Sequence, residues 1–317
     1  MSNILVEARC DPNSRFILEG LAATCAQLGH SVRRWRGPLS GRVPFSRRLP
    51  QCDIAILFNG AHHKYTKPVE QLRRWNTQLL FIELGWYPQL GTFQLDHQGI
   101  NAAASWAQQP LTESARTRVP VRPSGDLLVL LQHDEDTQIT GHSPWFANMH
   151  AFVAHLSAHS RLPLRVRLHP RHPPGERVLQ FLTQGKHTID WAPRMAQSLD
   201  TCRAVACVNS SAAIEALAQD IPVLCYGHAI YRHPQAVYCL DNDGQHTQQA
   251  TAQLAAGQSE VYVESAREVV RRITTEQWQI DQIANRLPPI IESLAHAAAD
   301  SRPPRGWHWP FRTRLAG

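Results

Sequence analysis

Ala204-Val205-Ala206-Cys207-Val208-Asn209-Ser210-Ser211-Ala212-Ala213-Ile214-Glu215-Ala216-Leu217-Ala218-Gln219-Asp220-Ile221-Pro222-Val223-Leu224-Cys225-Tyr226 decides the fold class. Ala204 to Val208 is a short apolar run that ends on polar Asn209-Ser210-Ser211. A helix is expected from Ala212 to about Gln219, and a second apolar run follows from Pro222 to Tyr226. Short apolar runs joined by helices indicate a parallel sheet with helices on both faces. The same pattern extends towards the N-terminus. Leu164 to Leu168 runs into His169-Pro170-Arg171, and Trp145 to Ala158 reads as a helix. Asp126 to Leu131 runs into Gln132-His133-Asp134-Glu135-Asp136.

A second, earlier series has the same form. Ile4-Leu5-Val6 is followed by the turn and capping residues Asp11-Pro12-Asn13-Ser14. Ile17, Leu21, Cys25 and Leu28 then recur at helical spacing up to Gly29. Asp53 to Phe58 ends at Asn59-Gly60, and Leu79 to Ile82 ends at Glu83-Leu84-Gly85. Pro110 to Gly125, rich in Pro, Ser, Thr and Arg, is the expected linker. The expected organisation is an N-terminal domain over 1–120, a C-terminal domain over 121–295 and a tail over 296–317. A length of 317 residues suits two domains.

Composition narrows the classes. A hydrophobic fraction of 43% with 18% charged residues fits a globular chain and excludes a disordered one. No apolar run approaches the ~18 residues of a membrane span. The start lacks a basic region followed by an apolar stretch, so no secretory signal is expected. Seven scattered cysteines suit a reduced, cytoplasmic protein. The net charge is +6, and Lys64, Lys67 and Lys186 are the only lysines among 32 basic residues. Arginine forks suit phosphates and carboxylates, so the excess fits an anionic substrate or membrane surface; biased composition explains it equally well. Nucleic-acid binding is not expected, because no concentrated basic face stands out in the body of the chain. In the tail, Arg302, Arg305, Arg312 and Arg314 flank Trp307, Trp309 and Phe311. Such a segment can sit at the inner-membrane headgroups or pack its rings on the body.

In open α/β sheets, ligands sit beyond the carboxyl ends of the strands. Four such ends carry unusual polar residues here: Glu83, Gln132 to Asp136, His169-Pro170-Arg171, and Asn209-Ser210-Ser211. The serine hydroxyls can cap the following helix, and the helix start can hold a phosphate. Glu215, one turn on, is either a ribose contact or a solvated carboxylate. His169 is either a donor to a departing phosphate or a satisfied core histidine. Arg167 or Arg171 can add charge, and Pro170 fixes the exit of the chain. Asp136 can attack an anomeric carbon or take a proton from an acceptor hydroxyl. Asp134-Glu135-Asp136 and Asp241-Asn242-Asp243 match an acid-any-acid metal pattern that is usually a solvated loop. His62-His63 and His169/His172 lack companion ligands, and Cys202 and Cys207 lack a second pair, so no metal is expected. No phosphate-binding Walker loop, dinucleotide glycine fingerprint or nucleophile elbow occurs.

Taken together, Glu83-Leu84-Gly85, Asp96 to Gly99, Gln132…Asp136, His169-Pro170, Ser210-Ser211…Glu215-Ala216-Leu217 and Pro222-Val223…Tyr226-Gly227 resemble the capsule polysaccharide biosynthesis family. Within it, the bacterial retaining β-Kdo glycosyltransferases are most similar, over roughly residues 80 to 231. His-Pro and double-Ser motifs also occur in bacterial sialyltransferases and in transferases that use CDP-glycerol.

The resemblance implies a GT-B-like α/β fold of two Rossmann-type domains with a cleft between them, the N-terminal one on the acceptor side. It implies a CMP-activated 3-deoxy-D-manno-oct-2-ulosonic acid (Kdo) donor, a glycan or glycolipid acceptor, and no cofactor beyond the CMP-sugar substrate. Asp136 becomes the nucleophile, Gln132 its neighbour and Glu83 a second carboxylate. His169, Ser210 and Ser211 hold the CMP phosphate, and Glu215 lies near the ribose. The chain departs from the family at Leu84, where a second acid is common. It departs again after Tyr231, where Arg232-His233-Pro234 replaces a Gly-Leu-Thr run. Some members carry two transferase modules; this length holds one. Two rival expectations are an inverting sialyltransferase-like enzyme, with Glu83 as base and His169 as acid, and a non-catalytic glycan-binding assembly subunit.

Overall fold

The computed structural model describes residues 1–39, 48–59, 63–89, 91–107, 109–112, 117–185 and 187–300, with only the backbone at Thr137. The arginine- and tryptophan-bearing tail from Arg302, His62 and part of the Pro110–Gly125 stretch lie outside the described residues.

In chain order the elements are β1 (Asn3–Glu7), α1 (Pro12–Gln27), β2 (Ser31–Trp35), β3 (Ile54–Phe58), α2 (Thr66–Arg74), β4 (Gln78–Leu84) and β5 (Thr92–Asp96). There follow β6 (Leu127–Leu130), α3 (Thr137–His142), α4 (Met149–His159), β7 (Leu164–Arg167), α5 (Glu176–Gln184), β8 (Thr188–Asp190), α6 (Met195–Leu199) and β9 (Ala204–Cys207). The chain continues through α7 (Ala213–Ala218), β10 (Val223–Cys225), β11 (Tyr238–Cys239), α8 (Gly244–Ala255), α9 (Val263–Glu276), β12 (Trp278–Gln279) and α10 (Ile283–Asp300). They form two six-stranded sheets, ordered β12-β5-β4-β3-β1-β2 and β11-β10-β9-β6-β7-β8. The α/β class with two largely parallel sheets, expected from the sequence, is what the chain adopts.

The chain divides into two compact units. One comprises Met1–Leu57, Thr66–Leu80 and the chain from Asp281; the other comprises Phe58–Tyr65 and Phe81–Ile280. In the first unit, β1 pairs in parallel with β2 and β3. Asp11 starts α1 by accepting the Ser14 amide at 3.0 Å, with Pro12 in the first turn. Gly29, at φ +83°, turns the chain away after it. Ile17, Leu18, Leu21 and Cys25 form the buried face of α1.

The second unit fixes the site. Every residue of β6, β9 and β10 is buried, as in central strands of a doubly wound sheet. Alternate side chains feed two cores. Leu127, Val129, Ala204, Ala206 and Leu224 face a core completed by Phe152, Val153 and Leu156 of α4 and Leu254 of α8. Leu128, Leu130, Val205, Cys207, Val223 and Cys225 face the other, closed by Ile214 and Leu217 of α7 and Ile273 of α9. Each such Leu, Ile or Val contributes about 1.5–3 kcal/mol by leaving water.

All pairings in this sheet are parallel. Strands β7 and β8 lie on one side of β6, whereas β9, β10 and β11 lie on the other. The winding direction therefore reverses between β6 and β9. At such a reversal the loops leaving adjacent strands diverge and open a crevice. Gln132 follows β6 and Asn209 follows β9, so the sequence puts polar residues at that opening. Among the described residues, no helix is long and apolar enough to cross a membrane.

Candidate active site

A cavity of about 330 Å³ lies at this reversal, within the second unit. Glu83, Gln132, Asp136, His169, Arg171, Ser210 and Ser211 all line it. The four polar strand ends thus meet in one space. Arg167, Pro170 and Glu215 are not among its lining residues.

The loop after β9 is held by a chain of amide contacts. Gln132 Nε2 donates to Asn209 Oδ1 at 2.8 Å, and Gln132 Oε1 accepts the Asn209 amide at 3.1 Å. Asn209 Nδ2 donates to the Gln138 carbonyl at 2.7 Å, with the His142 and His228 carbonyls at 3.3 Å each. Asn209 is 5% exposed, so these bonds replace water almost completely. The Tyr231 hydroxyl donates to the Ser210 carbonyl at 2.8 Å and lies 3.2 Å from Cys207 Sγ. Gln132 therefore spends both ends of its amide on position rather than on chemistry. The positioning roles of Asn209 and Tyr231 are what sequence reasoning missed. Only Asn209's place at a strand end gave a signal.

The serines act differently from simple helix caps. Helix α7 has Ala212 in its cap position without a side-chain cap bond. Ser210 Oγ instead accepts the Ala212 amide at 3.3 Å, which shapes the bend that presents Ser211 to the cavity.

His169 Nδ1 accepts the backbone amides of Arg171 and His172 at 3.3 and 3.1 Å. In the neutral ring this tautomer carries its proton on Nε2. Burial, then the neighbouring His172 and Arg171, lowers the pKa of His169. The ring centres of His169 and His172 are 5.0 Å apart, and those of His133 and His172 are 4.5 Å apart. Three imidazoles and a guanidinium thus gather beside the cavity, a favourable setting for an anion.

Asp136 is exposed and caps α3, its Oδ1 accepting the Gln138 amide at 3.0 Å. Glu83 lies near the end of β4, and its Oε1 accepts the Leu84 amide at 2.9 Å. Both residues line the same cavity. The adjoining wall is tied together by side-chain hydrogen bonds. Asn101, in the left-handed region at φ +55°, accepts from Trp86 Nε1 and Gln94 Nε2 at 2.9 Å each. Trp86 meets Trp106 edge-on at 5.5 Å. Asp96 accepts the amides of Gln98, Gly99 and Ser105 and the Ser105 hydroxyl, so it shapes the turn beneath this wall.

Arg167 is committed elsewhere. Its Nη1 donates to Asp190 Oδ2 at 2.7 Å and to the Ala192 carbonyl and Ser198 Oγ at 2.8 Å each. Glu215 is half-buried outside the cavity, and burial raises its pKa against the pull of Arg167. The acidic clusters also have local duties. Asp134 Oδ1 accepts the Met149 amide at 2.6 Å, Asp243 caps α8, and Asp241 pairs with His246 at 3.0 Å. Among the described residues, no group of three or more His, Cys, Asp or Glu side chains is arranged to hold a metal ion.

Residues 95–263 match the family model described as capsule polysaccharide biosynthesis protein, over more than half of the chain. The chain belongs to that family. The matched segment contains Gln132, Asp136, His169, Asn209, Ser210, Ser211 and Tyr231; Glu83 precedes it. A curated relative, Protein FixF of Sinorhizobium fredii (strain NBRC 101917 / NGR234), is 28% identical over 201 residues, which is 56% of this chain and 49% of the relative. The chain therefore spans about half the length of the relative it matches. Two solved structures of Thermosulfurimonas dismutans KpsC are similar to this member of the capsule family. The beta Kdo 2,7 transferase is 15% identical, with a TM-score of 0.49 over 85% of this chain and 99% of that one. The beta Kdo 2,4 transferase is 13% identical, with a TM-score of 0.47 over 93% and 98%.

Proposed function

We propose that this capsule-family protein is a glycosyltransferase that moves Kdo from CMP-β-Kdo to a cell-surface polysaccharide or lipid-linked glycan, with retention of configuration. The observation that carries the reading is the single cavity lined by Asp136 and Glu83 together with His169, Arg171, Ser210 and Ser211. The sugar and its nucleotide follow from the motif resemblance over residues 80 to 231.

In the first step, the Asp136 carboxylate attacks the anomeric C2 of Kdo as the C2–O bond to phosphate breaks. The bonding pair leaves with CMP. Arg171, His169 Nε2–H and the serine loop balance the charge that builds on the phosphate. A monophosphate leaving group carries little enough charge for these groups to act without a metal. In the second step, an acceptor hydroxyl attacks C2, its proton passes to Glu83, and Asp136 departs. Two inversions give retention. Gln132, Asn209 and Tyr231 act as positioning residues. The reaction takes place in the cytoplasm, at the face of the inner membrane where a lipid-linked acceptor lies.

A panel of CMP- and CDP-linked sugars, with and without a chelator, tests the reading. Binding and transfer are expected with CMP-Kdo alone, unaffected by the chelator, and the product keeps the donor's configuration. An inverted product would favour Glu83 as general base. CMP binding without turnover of any donor would favour an assembly subunit. Failure to bind any CMP-sugar would contradict the proposal.

His169→Ala is expected to weaken CMP binding about tenfold, the worth of one charge-assisted hydrogen bond. The pH dependence has a definite sign. The lowered pKa of His169 leaves it neutral at pH 7, and bound phosphate favours the protonated ring. CMP affinity should therefore rise as pH falls below the ordinary histidine value of 6.5, and the variant should lose much of that rise. Calorimetric titration over pH checks both. An unchanged profile in the variant would remove His169 from phosphate binding.

A further inference from the structure

A second cavity, of about 340 Å³, lies wholly within the first unit at the carboxyl end of β1 and β2. Parallel pairing sets Val6 opposite Arg34 and Glu7 opposite Trp35, so both strands end at one edge. The Ala8 amide donates to the Trp35 carbonyl at 2.7 Å and locks that edge. Arg9 leaves β1 there, Arg34 and Arg36 leave β2 two residues apart, and Arg15 comes from the first turns of α1. All four arginines line the cavity, together with Glu7 and Glu19.

This convergence comes from the fold rather than from the arginine-rich composition, since the four residues come from three separate stretches of chain, after β1, in α1 and at the end of β2. Arg34 Nη1 donates to the Leu18 carbonyl at 3.0 Å, which anchors its guanidinium against α1. Arg15 pairs with Glu19 at 2.7 Å, and Arg9 lies 3.8 Å from buried Glu7. The volume lies within the ~300–1,000 Å³ range of small-molecule sites. Guanidinium forks match the oxygens of phosphates and carboxylates, whereas carboxylates on the same wall accept sugar hydroxyls.

We infer that this cavity is a binding site for a sugar that carries an oxyanion, either a phosphate or a carboxylate. The guanidiniums take the oxyanion, and Glu19, the exposed carboxylate of the lining, takes the hydroxyls, while buried Glu7 holds Arg9 in place. Binding is read here without donor or turnover, so it stands or falls apart from the proposed reaction.

Calorimetry on the full chain with glucose 1-phosphate, glucuronate, inorganic phosphate and glucose tests it. At least one of the two sugar anions should bind more tightly than both glucose and inorganic phosphate, and less tightly as salt rises. The tighter of the two identifies the oxyanion. Arg36→Gln and Arg34→Gln should each weaken that binding about tenfold, whereas His169→Ala should leave it unchanged. Arg36 is exposed, so its variant keeps the test valid even if Arg34→Gln unfolds. Sugar anions that bind no better than glucose or free phosphate, or equally well to wild type and Arg36→Gln, would overturn the assignment.

Discussion

Asp136→Asn is expected to lower glycosyl transfer by at least ~10³-fold while CMP affinity changes little, because a nucleophile acts only in the chemical step. The choice of asparagine matters. Asp136 Oδ1 accepts the Gln138 amide and caps α3. Alanine would remove both the nucleophile and the cap, at about 1 kcal/mol for the cap alone. Asparagine keeps an acceptor oxygen at the cap and loses the nucleophilic carboxylate. If both variants lose transfer equally and melt within a degree or two of each other, the loss belongs to the chemistry. Steady-state kinetics with CMP-Kdo and a defined acceptor, beside CMP titration, provide the measurement. Wild-type turnover in Asp136→Asn would remove Asp136 from the reaction.

Asp190→Ala is expected to destabilise the second unit by about 3–5 kcal/mol, the cost of breaking a largely buried ion-pair network by removing its buried carboxylate. The Asp190 side chain is only 4% exposed and pairs with Arg165 at 3.1 Å and Arg167 at 2.7 Å. Ser198 Oγ donates to it as well. Arg165 keeps Asp126 at 2.8 Å in the variant, but Arg167 keeps only neutral acceptors. Burial alone would raise the Asp190 carboxyl. The Ser198, Arg167 and Ala192 hydrogen bonds and the charge of Arg165 outweigh it and hold the group below its ordinary 3.8. A depressed folded pKa gives stability that is complete above 3.8 and lost as pH falls through the lower folded value. Urea unfolding at neutral pH measures the loss. A change of under about 1 kcal/mol would place this network among weak surface pairs.

The same network shows where sequence reading stops. Arg167 stands two residues before His169, and proximity alone suggests a shared phosphate. Alternation along β7 instead puts Arg165 and Arg167 on one face, where Asp126 and Asp190 meet them. Asp190 sits in a three-residue strand, β8, too short to show any period. Strand β2 is obscured for another reason: as an edge strand it carries Arg33 and Arg34 exposed, so its apolar signal is thin. Pro288 and Pro289 mask α10, which is helical across both.

By contrast, β6, β9 and β10 are legible because a central parallel strand is buried on both faces and needs an unbroken apolar run. The polar strand ends are legible because a doubly wound sheet delivers its carboxyl ends to one side. The roles of Asn209 and Tyr231 are not. Their partners Gln132 and Ser210 lie 77 and 21 residues away, and nothing local to either residue encodes the pairing.

The central claim is that Asp136 and the His169–Ser211 surface serve one bound nucleotide. A crystal structure of the CMP complex tests it most directly. The account predicts the phosphate in the 330 Å³ cavity, hydrogen-bonded to His169 Nε2 and the Ser210-Ser211 loop, with the Asp136 carboxyl facing the position the sugar leaves. CMP bound elsewhere on the chain, or bound here with Asp136 turned out to solvent and remote from the phosphate, would contradict it.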